Sequence, residues 1–369
     1  MPETRSPILY PLSLIYGLIA NFRNFLYNAG ILPSKEFRIP IICVGNITVG
    51  GTGKTPHTEY LAELLSKQFK IAVLSRGYKR DSLGFNVVMP DSRVSVASDE
   101  PLQIARKFPD ILVAVDRNRK NGIREIMKSH PEIEAILLDD AFQRRQITPG
   151  FSILLSDFNR LMTRDHMLPY GNLRESVSNM RRADMIIITK SPADMSPMQR
   201  RIIGKEINAK PYQSLFFTSI KYYNPKPVFT TDESSSEPDF SNPSLTGILF
   251  VTGIANPRPL KKFIKPLASE IVHLQYPDHY KFKEKDIEAI SESFAKLKSS
   301  VKYVITTEKD SVRLKEFTNI TDQLKNAIYY YPVGIDFLHD NKNDFDKLIT
   351  DYVRKNKRDN RISENQRVH

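Results

Sequence analysis

The stretch VGNITVGGTGKTP, residues 44–56, decides how this chain is read. A phosphate-binding loop is usually spelled glycine, four residues, then Gly-Lys-Ser/Thr, and counting back from Gly53-Lys54-Thr55 puts Thr48 where the first glycine belongs. The chemistry tolerates the change. Such a loop needs backbone N–H groups around a β-phosphate, a lysine reaching the β/γ oxygens, and a hydroxyl for Mg2+ at the start of a helix. Lys54 and Thr55 fit the last two roles, while Gly50, Gly51 and Gly53 let the backbone approach a phosphate without a Cβ in the way. Thr48, Val49 and Thr52 complete the predicted nucleotide contact. Upstream, RIPIICVG is an apolar run of strand type. Downstream, PHTEYLAELLSKQF places Leu61, Leu64, Leu65 and Phe69 at helical spacing, with Pro56 in the first turn where a missing N–H costs little. A glycine-rich turn between an unrelated strand and helix is the alternative reading.

Outward from the loop, KIAVLSRGY, ILVAVD, AILLDDAFQ, FSILLSD and MIIITK look like buried parallel strands with polar residues at their carboxyl ends. The expected fold is α/β: a P-loop NTPase-like parallel sheet domain, a second, smaller α/β domain, and an amino-terminal membrane-interfacial helix. In EAILLDD, four apolar residues ending in Asp139 have the form of a Walker B strand whose aspartate serves Mg2+. Asp140 doubles the carboxylate, and either serves the metal or caps the turn. MIIITKSPAD invites a guanine-specificity reading, but Pro192 stands where that motif needs Asp, and Asp194 comes two residues late. ATP is therefore the expected nucleotide.

The chain has 369 residues, enough for two domains, and 40% of them are hydrophobic. Its one cysteine, Cys43, lies in an apolar strand, so no intrachain disulfide forms, which suits a reducing compartment. A formal charge of +12 favours anionic partners such as lipid headgroups or phosphorylated substrates. No nucleic-acid-binding motif accompanies it, so nucleic acid is not an expected partner. No His/Cys cluster has metal-ligand spacing, and there is no internal repeat.

The amino terminus carries an apolar run from Ile8 to Ala20, interrupted by Pro11, Ser13 and Gly17. It is too short to cross the roughly 30 Å of a bilayer as a helix. Phe22, Phe25, Leu26 and Tyr27 extend the apolar face past Asn21, Arg23 and Asn24, as in a helix lying among headgroups. A core helix and a signal peptide are the rival readings, the latter opposed by Glu3 beside a single early Arg5 and by the lack of a small-residue cleavage site.

The expected organisation is an interfacial helix region (1–33), a P-loop domain (34–213), a two-stranded connection (214–229 with 327–338), a smaller α/β domain (245–326), and a carboxyl-terminal helix with a charged tail (339–369). The run TTDESSSEPDFSNPS, residues 230–244, reads as a flexible loop, and RKNKRDNRISENQRVH as a frayed tail.

VGNITVGGTGKTP, LSRGYKR, SDEP, LDDAFQ, LPYGNLRES, VTGIANP, YPDHYKF and TTEKD occur in the order found in the tetraacyldisaccharide 4′-kinases of lipid A biosynthesis, and the chain resembles that family up to about Leu314. The Thr48 spelling is itself the family's form. The resemblance implies transfer of the ATP γ-phosphate, with Mg2+, to the 4′-hydroxyl of a tetraacyldisaccharide 1-phosphate, giving lipid IVA. It implies a peripheral protein on the cytoplasmic face of the inner membrane, here expected to act as a monomer. It implies an aspartate–histidine pair, Asp99 with His279, as catalytic groups beside Lys54. It implies Thr55, Asp139 and Asp140 on the metal, and Arg76, Gln143, Arg174, Glu175 and Lys309 as candidate phosphate or substrate contacts. On the residues alone, Asp99 before Glu-Pro has the placement of a helix N-cap, His279 that of an ordinary packed or surface histidine, and each of the five substrate candidates that of a surface residue or structural ion pair. Two departures stand out. Family members commonly read Asp-Gly-Phe-Gln-His where this chain has Asp140-Ala141-Phe142-Gln143-Arg144, so a role for the histidine after Gln143 does not carry over. LPYGNLRES likewise departs from Leu-Pro-x-Gly-Pro-Leu-Arg-Glu, although Arg174 and Glu175 match. The alternative function is a nucleotide-switched carrier or metallocentre chaperone using the same loop without an acceptor base.

Overall fold

A computed structural model describes residues 6–229, 237–339 and 341–365. In chain order the first part comprises α1 (Leu9–Asn28), β1 (Ile41–Gly45), α2 (Lys54–Ser66), β2 (Ile71–Ser75), β3 (Asn86–Val88), α3 (Val94–Ala97), α4 (Asp99–Lys107), β4 (Leu112–Val115), α5 (Arg119–Ser129), β5 (Ala135–Asp139), β6 (Phe151–Asp157), β7 (Met185–Thr189), α6 (Pro197–Ile207) and β8 (Ser214–Tyr222). There follow β9 (Lys226–Pro227), β10 (Thr246–Thr252), α7 (Arg258–Ile264), β11 (Glu270–Gln275), α8 (Glu284–Ala295), β12 (Val301–Thr307), α9 (Glu308–Leu314), α10 (Asp322–Ala327), β13 (Ile328–Tyr331), β14 (Val333–Phe337) and α11 (Lys342–Asn365).

The larger sheet has nine strands in the order β14-β8-β7-β6-β1-β5-β2-β4-β3, parallel except for its two antiparallel edges, β14 and β3. Its inner strands are apolar on both faces because helices cover both sides. Along β1 the alternation is direct: Ile42 and Val44 join one core with Leu61, Leu65 and Phe69 of the α2 segment, and Ile41 and Cys43 join the other. Burial pushes the Cys43 thiol up to about 12, so it packs as a small apolar group. Chain reversal in strand order around β1 opens a crevice at the carboxyl ends of the strands, where ligands of such sheets bind. The register sets Val44 opposite Asp139, so the glycine loop leaves β1 beside the end of β5.

The second sheet has the order β11-β10-β12-β13-β9, with only β9 antiparallel. Two segments run between the sheets side by side: β8 pairs with β14 in the first and β9 with β13 in the second, joined by the Tyr223 N–H donating to Pro332 O at 3.0 Å. Gly334 belongs to this ribbon because a Cβ there would lie 2.6 Å from the Tyr223 ring. The two parts also meet where Lys107 (α4) bridges the buried Glu59 (α2) and Glu308 (α9), its Nζ 2.5 Å from Glu59 and 3.3 Å from Glu308.

α1 is turned inside out relative to a core helix. Its buried residues are Ser13, Gly17 and Asn24, whereas Leu12, Leu14, Ile15, Leu18, Ile19, Phe22 and Phe25 are exposed. Ser13 Oγ donates to Met167 O at 2.8 Å, and Arg145 Nη1 donates to Asn24 O at 2.8 Å, so the polar face is the docked one. No helix among the described residues is long and apolar enough to cross a membrane.

One expectation is corrected. The charged segment from Arg354 onward is helical to Asn365, because α11 begins earlier with Phe345, Ile349 and Val353 buried against the large sheet and propagates from that anchored start. Of the Ser/Pro/acid-rich run, residues 230–236 lie outside the described residues.

Candidate active site

The glycine loop is held from behind. Gly50 and Gly53 have φ of 93° and 84°, conformations that glycine adopts without cost. Gly45, just before the loop, is required for space: a Cβ there would come 2.7 Å from Phe142 Cβ and 2.9 Å from its backbone nitrogen. Three side chains from the neighbouring strand ends bind loop carbonyls: Arg160 that of Val49, Lys190 that of Gly51, and Thr189 that of Thr52, the last at 2.9 Å. Lys190 is itself fixed by Asp157 at 2.6 Å and sits at φ 55°. His57 Nδ1 lies 2.7 Å from Gly53 O, so that nitrogen carries the proton, and Nε2 accepts the Thr218 hydroxyl at 3.0 Å. With carbonyls tied on one side, the N–H groups of Gly50, Gly51 and Gly53 donate to no other backbone group among the described residues and remain for an anion.

Within the loop, Thr52 Oγ1 accepts from Asn46 Nδ2 at 2.7 Å, Thr48 is buried beside Leu173, and the Val49 N–H is used by Asn172 O at 2.8 Å. Their backbones, not their side chains, shape the cradle. Lys54 Nζ lies 3.5 Å from Asp140 Oδ1. Asp139 is buried and accepts the Thr58 and Ser75 hydroxyls at 3.3 and 3.2 Å. Burial, and then the charges of Glu100 and Asp140, raise its carboxyl to about 6. Behind it, buried Arg119 donates to the carbonyls of Asp116 and Asp139.

Around Asp99 a second cluster forms. Asp99 opens α4 but does not cap it: its carboxylate turns to α9 and His279 instead. Asp99 Oδ2 is bonded by Arg313 and lies 3.3 Å from His279 Nδ1 and 3.7 Å from Lys309 Nζ. Lys309 Nζ also donates to Glu100 Oε1 at 2.9 Å and to His279 Nε2 at 3.1 Å. Burial opposes the Asp99 charge, but the His279 hydrogen bond and the Lys309 and Arg313 charges hold its carboxyl well below the usual range. Ser98, Asp140, Lys190 and His279 all have positive φ. Non-glycine residues held this way concentrate at functional sites. Glu100 links the clusters, since it binds Lys309 and acts electrostatically on Asp139.

The remaining sequence candidates divide. Gln143 receives Arg174 Nη1 at 3.2 Å and donates to Asn46 O at 3.3 Å, placing both beside the loop. Arg76 shares its surroundings with Arg144 and Arg119. Glu175 is buried and bound by Arg182 and by Arg23 of α1, an ion-pair position that docks the helix. Sequence reasoning missed Glu100, Arg119, Arg160, Lys190 and Arg313. Two of them sat in stretches already singled out: Glu100 in SDEP and Lys190 in the run weighed for guanine recognition.

A protein-family model described as tetraacyldisaccharide-1-P 4′-kinase matches residues 5–354. The chain belongs to the tetraacyldisaccharide-1-P 4′-kinase family. Among curated relatives, the tetraacyldisaccharide 4′-kinase of Bacteroides thetaiotaomicron is 45% identical over 98% of this chain and 97% of its own. That of Phocaeicola vulgatus is 47% identical over 96% and 97%. A crystal structure of LpxK from Aquifex aeolicus in complex with ATP superimposes with a TM-score of 0.71 at 26% identity, covering 93% of this chain and 98% of that one. As a member of this kinase family, the chain catalyses ATP-dependent phosphorylation of tetraacyldisaccharide 1-phosphate in lipid A biosynthesis. The carrier or chaperone alternative is set aside.

Proposed function

We propose that the kinase works by splitting its tasks between the two clusters: the glycine loop with Lys54 holds and polarises the triphosphate, and Asp99 activates the 4′-hydroxyl. The observation that carries this reading is the fixed, ionised Asp99 carboxylate, the acid of α4 turned toward an oriented histidine rather than toward its own helix. In the step, the O4′–H proton passes to Asp99 as O4′ bonds to the γ-phosphorus and the bond from that phosphorus to the ADP bridging oxygen breaks. The free N–H groups of the loop and the Lys54 ammonium stabilise charge on the transferring group and on ADP.

Thr55 with Asp139 and Asp140 suits Mg2+: hard oxygen donors, with burial and then the nearby carboxylates of Glu100 and Asp140 raising the proton affinity of Asp139. When bound there, the ion would neutralise charge between the β- and γ-phosphates. Arg76, Arg144 and Arg174 surround the same crevice with positive charge and suit the anionic acceptor.

The outward apolar face of α1 supports attachment to a membrane surface, the cytoplasmic face of the inner membrane being where ATP and this lipid meet. The test is transfer of label from γ-labelled ATP to the lipid by the full chain in mixed micelles. Label in the 4′-phosphate is expected; hydrolysis alone, without a labelled lipid, would overturn the assignment.

A further inference from the structure

We infer that Arg313 is a positioning residue of the phosphoacceptor site: it anchors Oδ2 of Asp99 and thereby leaves Oδ1 as the oxygen that receives the sugar hydroxyl. The inference rests on Asp99 being the base. Arg313 is buried on α9 and reaches Asp99 with one arm of its guanidinium, while the other lies 2.9 Å from Asp310 Oδ1 and 3.4 Å from Gly253 O. Asp310 is held in turn, its Oδ2 accepting the Gly253 N–H at 2.8 Å and the Thr307 hydroxyl at 2.7 Å. A chain of fixed groups therefore ends on one oxygen of Asp99. Asp310 alone would satisfy the charge of a merely structural arginine, so the second contact calls for a separate reason.

The two oxygens of Asp99 are unequal. Oδ2 faces Arg313, His279 and Lys309, whereas among the described residues Oδ1 has only the Ser98 hydroxyl at 3.0 Å. That hydroxyl has one proton and lies nearer the Tyr78 carbonyl, at 2.7 Å, so Oδ1 keeps lone pairs to spare. Asp99, His279 and Arg313 line a cavity of about 340 Å³ that also reaches Tyr78 and Phe282, room for a sugar ring.

The charges facing Asp99 are Glu100 from its own helix, His279 with Asp278 behind it, and Lys309, Arg313 and Asp310 from α9; Lys79, Lys281, Glu284 and Glu316 line the cavity. Removing Arg313 leaves burial opposed by fewer cations. The Asp99 carboxyl then rises towards the ordinary carboxylate range and stays ionised near neutral pH, so the loss falls on the direction in which Oδ1 points.

The experiment measures kcat and KM for ATP separately for the full chain, Arg313→Met, Arg313→Lys and Asp99→Asn. The inference predicts kcat lowered about 10- to 10²-fold in Arg313→Met with KM for ATP unchanged, the worth of one charge-assisted hydrogen bond that aims the base. Arg313→Lys, which keeps the charge but loses the fork, should recover only part of that loss. Wild-type kcat in Arg313→Met beside an inactive Asp99→Asn overturns the role of Arg313 and leaves the base standing. An active Asp99→Asn overturns the base itself. Should Arg313→Met not fold, Arg313→Lys decides alone, since wild-type kcat in it removes the need for a fork.

Discussion

His279 presents Nδ1 to Asp99 Oδ2 at 3.3 Å while its other ring nitrogen, Nε2, accepts a hydrogen bond from the Lys309 ammonium at 3.1 Å. An ammonium only donates, so Nε2 must be the bare nitrogen of a neutral ring and Nδ1–H must point at the carboxylate. Lys309 thus selects the tautomer that orients the base.

Asp99→Ala and His279→Ala should each lower kcat by roughly 10²–10⁴, the usual worth of a positioned base, with little change in ATP affinity. The double variant should be little worse than the poorer single one, because groups acting as a unit lose their effect together. Steady-state kinetics with direct ATP-binding measurements check this; additive losses in kcat count against a unit.

Lys54→Ala should abolish most turnover with the fold intact, since its charge acts on the transferring group. Lys190→Met should behave differently. Freed from Lys190, the Gly51 carbonyl no longer fixes the loop, so KM for ATP should rise about tenfold, the cost of roughly one charge-assisted hydrogen bond's worth of preorganisation. Equal effects of the two on kcat and KM would show that Lys190 does not act through the loop.

The parallel sheet, the loop and the Walker B strand were legible because each is local: a run of apolar residues or a turn chemistry written in consecutive letters. The resemblance paired Asp99 with His279, but its partner Arg313 was not legible. Arg313 lies 214 positions from Asp99, and nothing in SVRL distinguishes an arginine that crosses to another element from one on a solvated helix face. Glu100 was given no role for the same reason, and Lys309 was named only as a candidate phosphate or substrate contact, not as a partner of Asp99. Glu175 shows the converse: a residue matched through its motif is seated in an ion pair that docks α1. The helical tail after Arg354 was missed because its composition has no apolar period, whereas its helicity continues from residues anchored upstream.

His57 ties stability to pH. Its imidazole is buried between Gly53 and Thr218, and burial lowers its pKa from 6.5 to about 4. The unfolded chain therefore binds a proton more readily than the folded one, so stability is fully present above about pH 6.5 and is lost as pH falls toward 4. The full effect is about 3 kcal/mol. Urea unfolding at several pH values should show a shallower acid loss in His57→Gln than in the parent chain. Parallel pH dependences would mean that the imidazole is not buried neutral.

The outward face of α1 gives the last expectation. Leu18, Ile19 and Phe22 are 71%, 67% and 63% exposed, so replacing all three with Ser removes no packing and should leave the melting temperature unchanged. Their loss should nevertheless weaken binding to vesicles by roughly 10²-fold, taking about 1 kcal/mol for each apolar side chain partly buried among headgroups. The basic surface remains, so residual binding should need anionic lipid and fall with salt, whereas the apolar contribution should not. Sedimentation with neutral and anionic vesicles separates the two. If the triple variant loses its fold instead, α1 packs with these side chains inward, and the interfacial reading fails; if it binds vesicles as well as the parent, basic charge alone holds the enzyme at the surface.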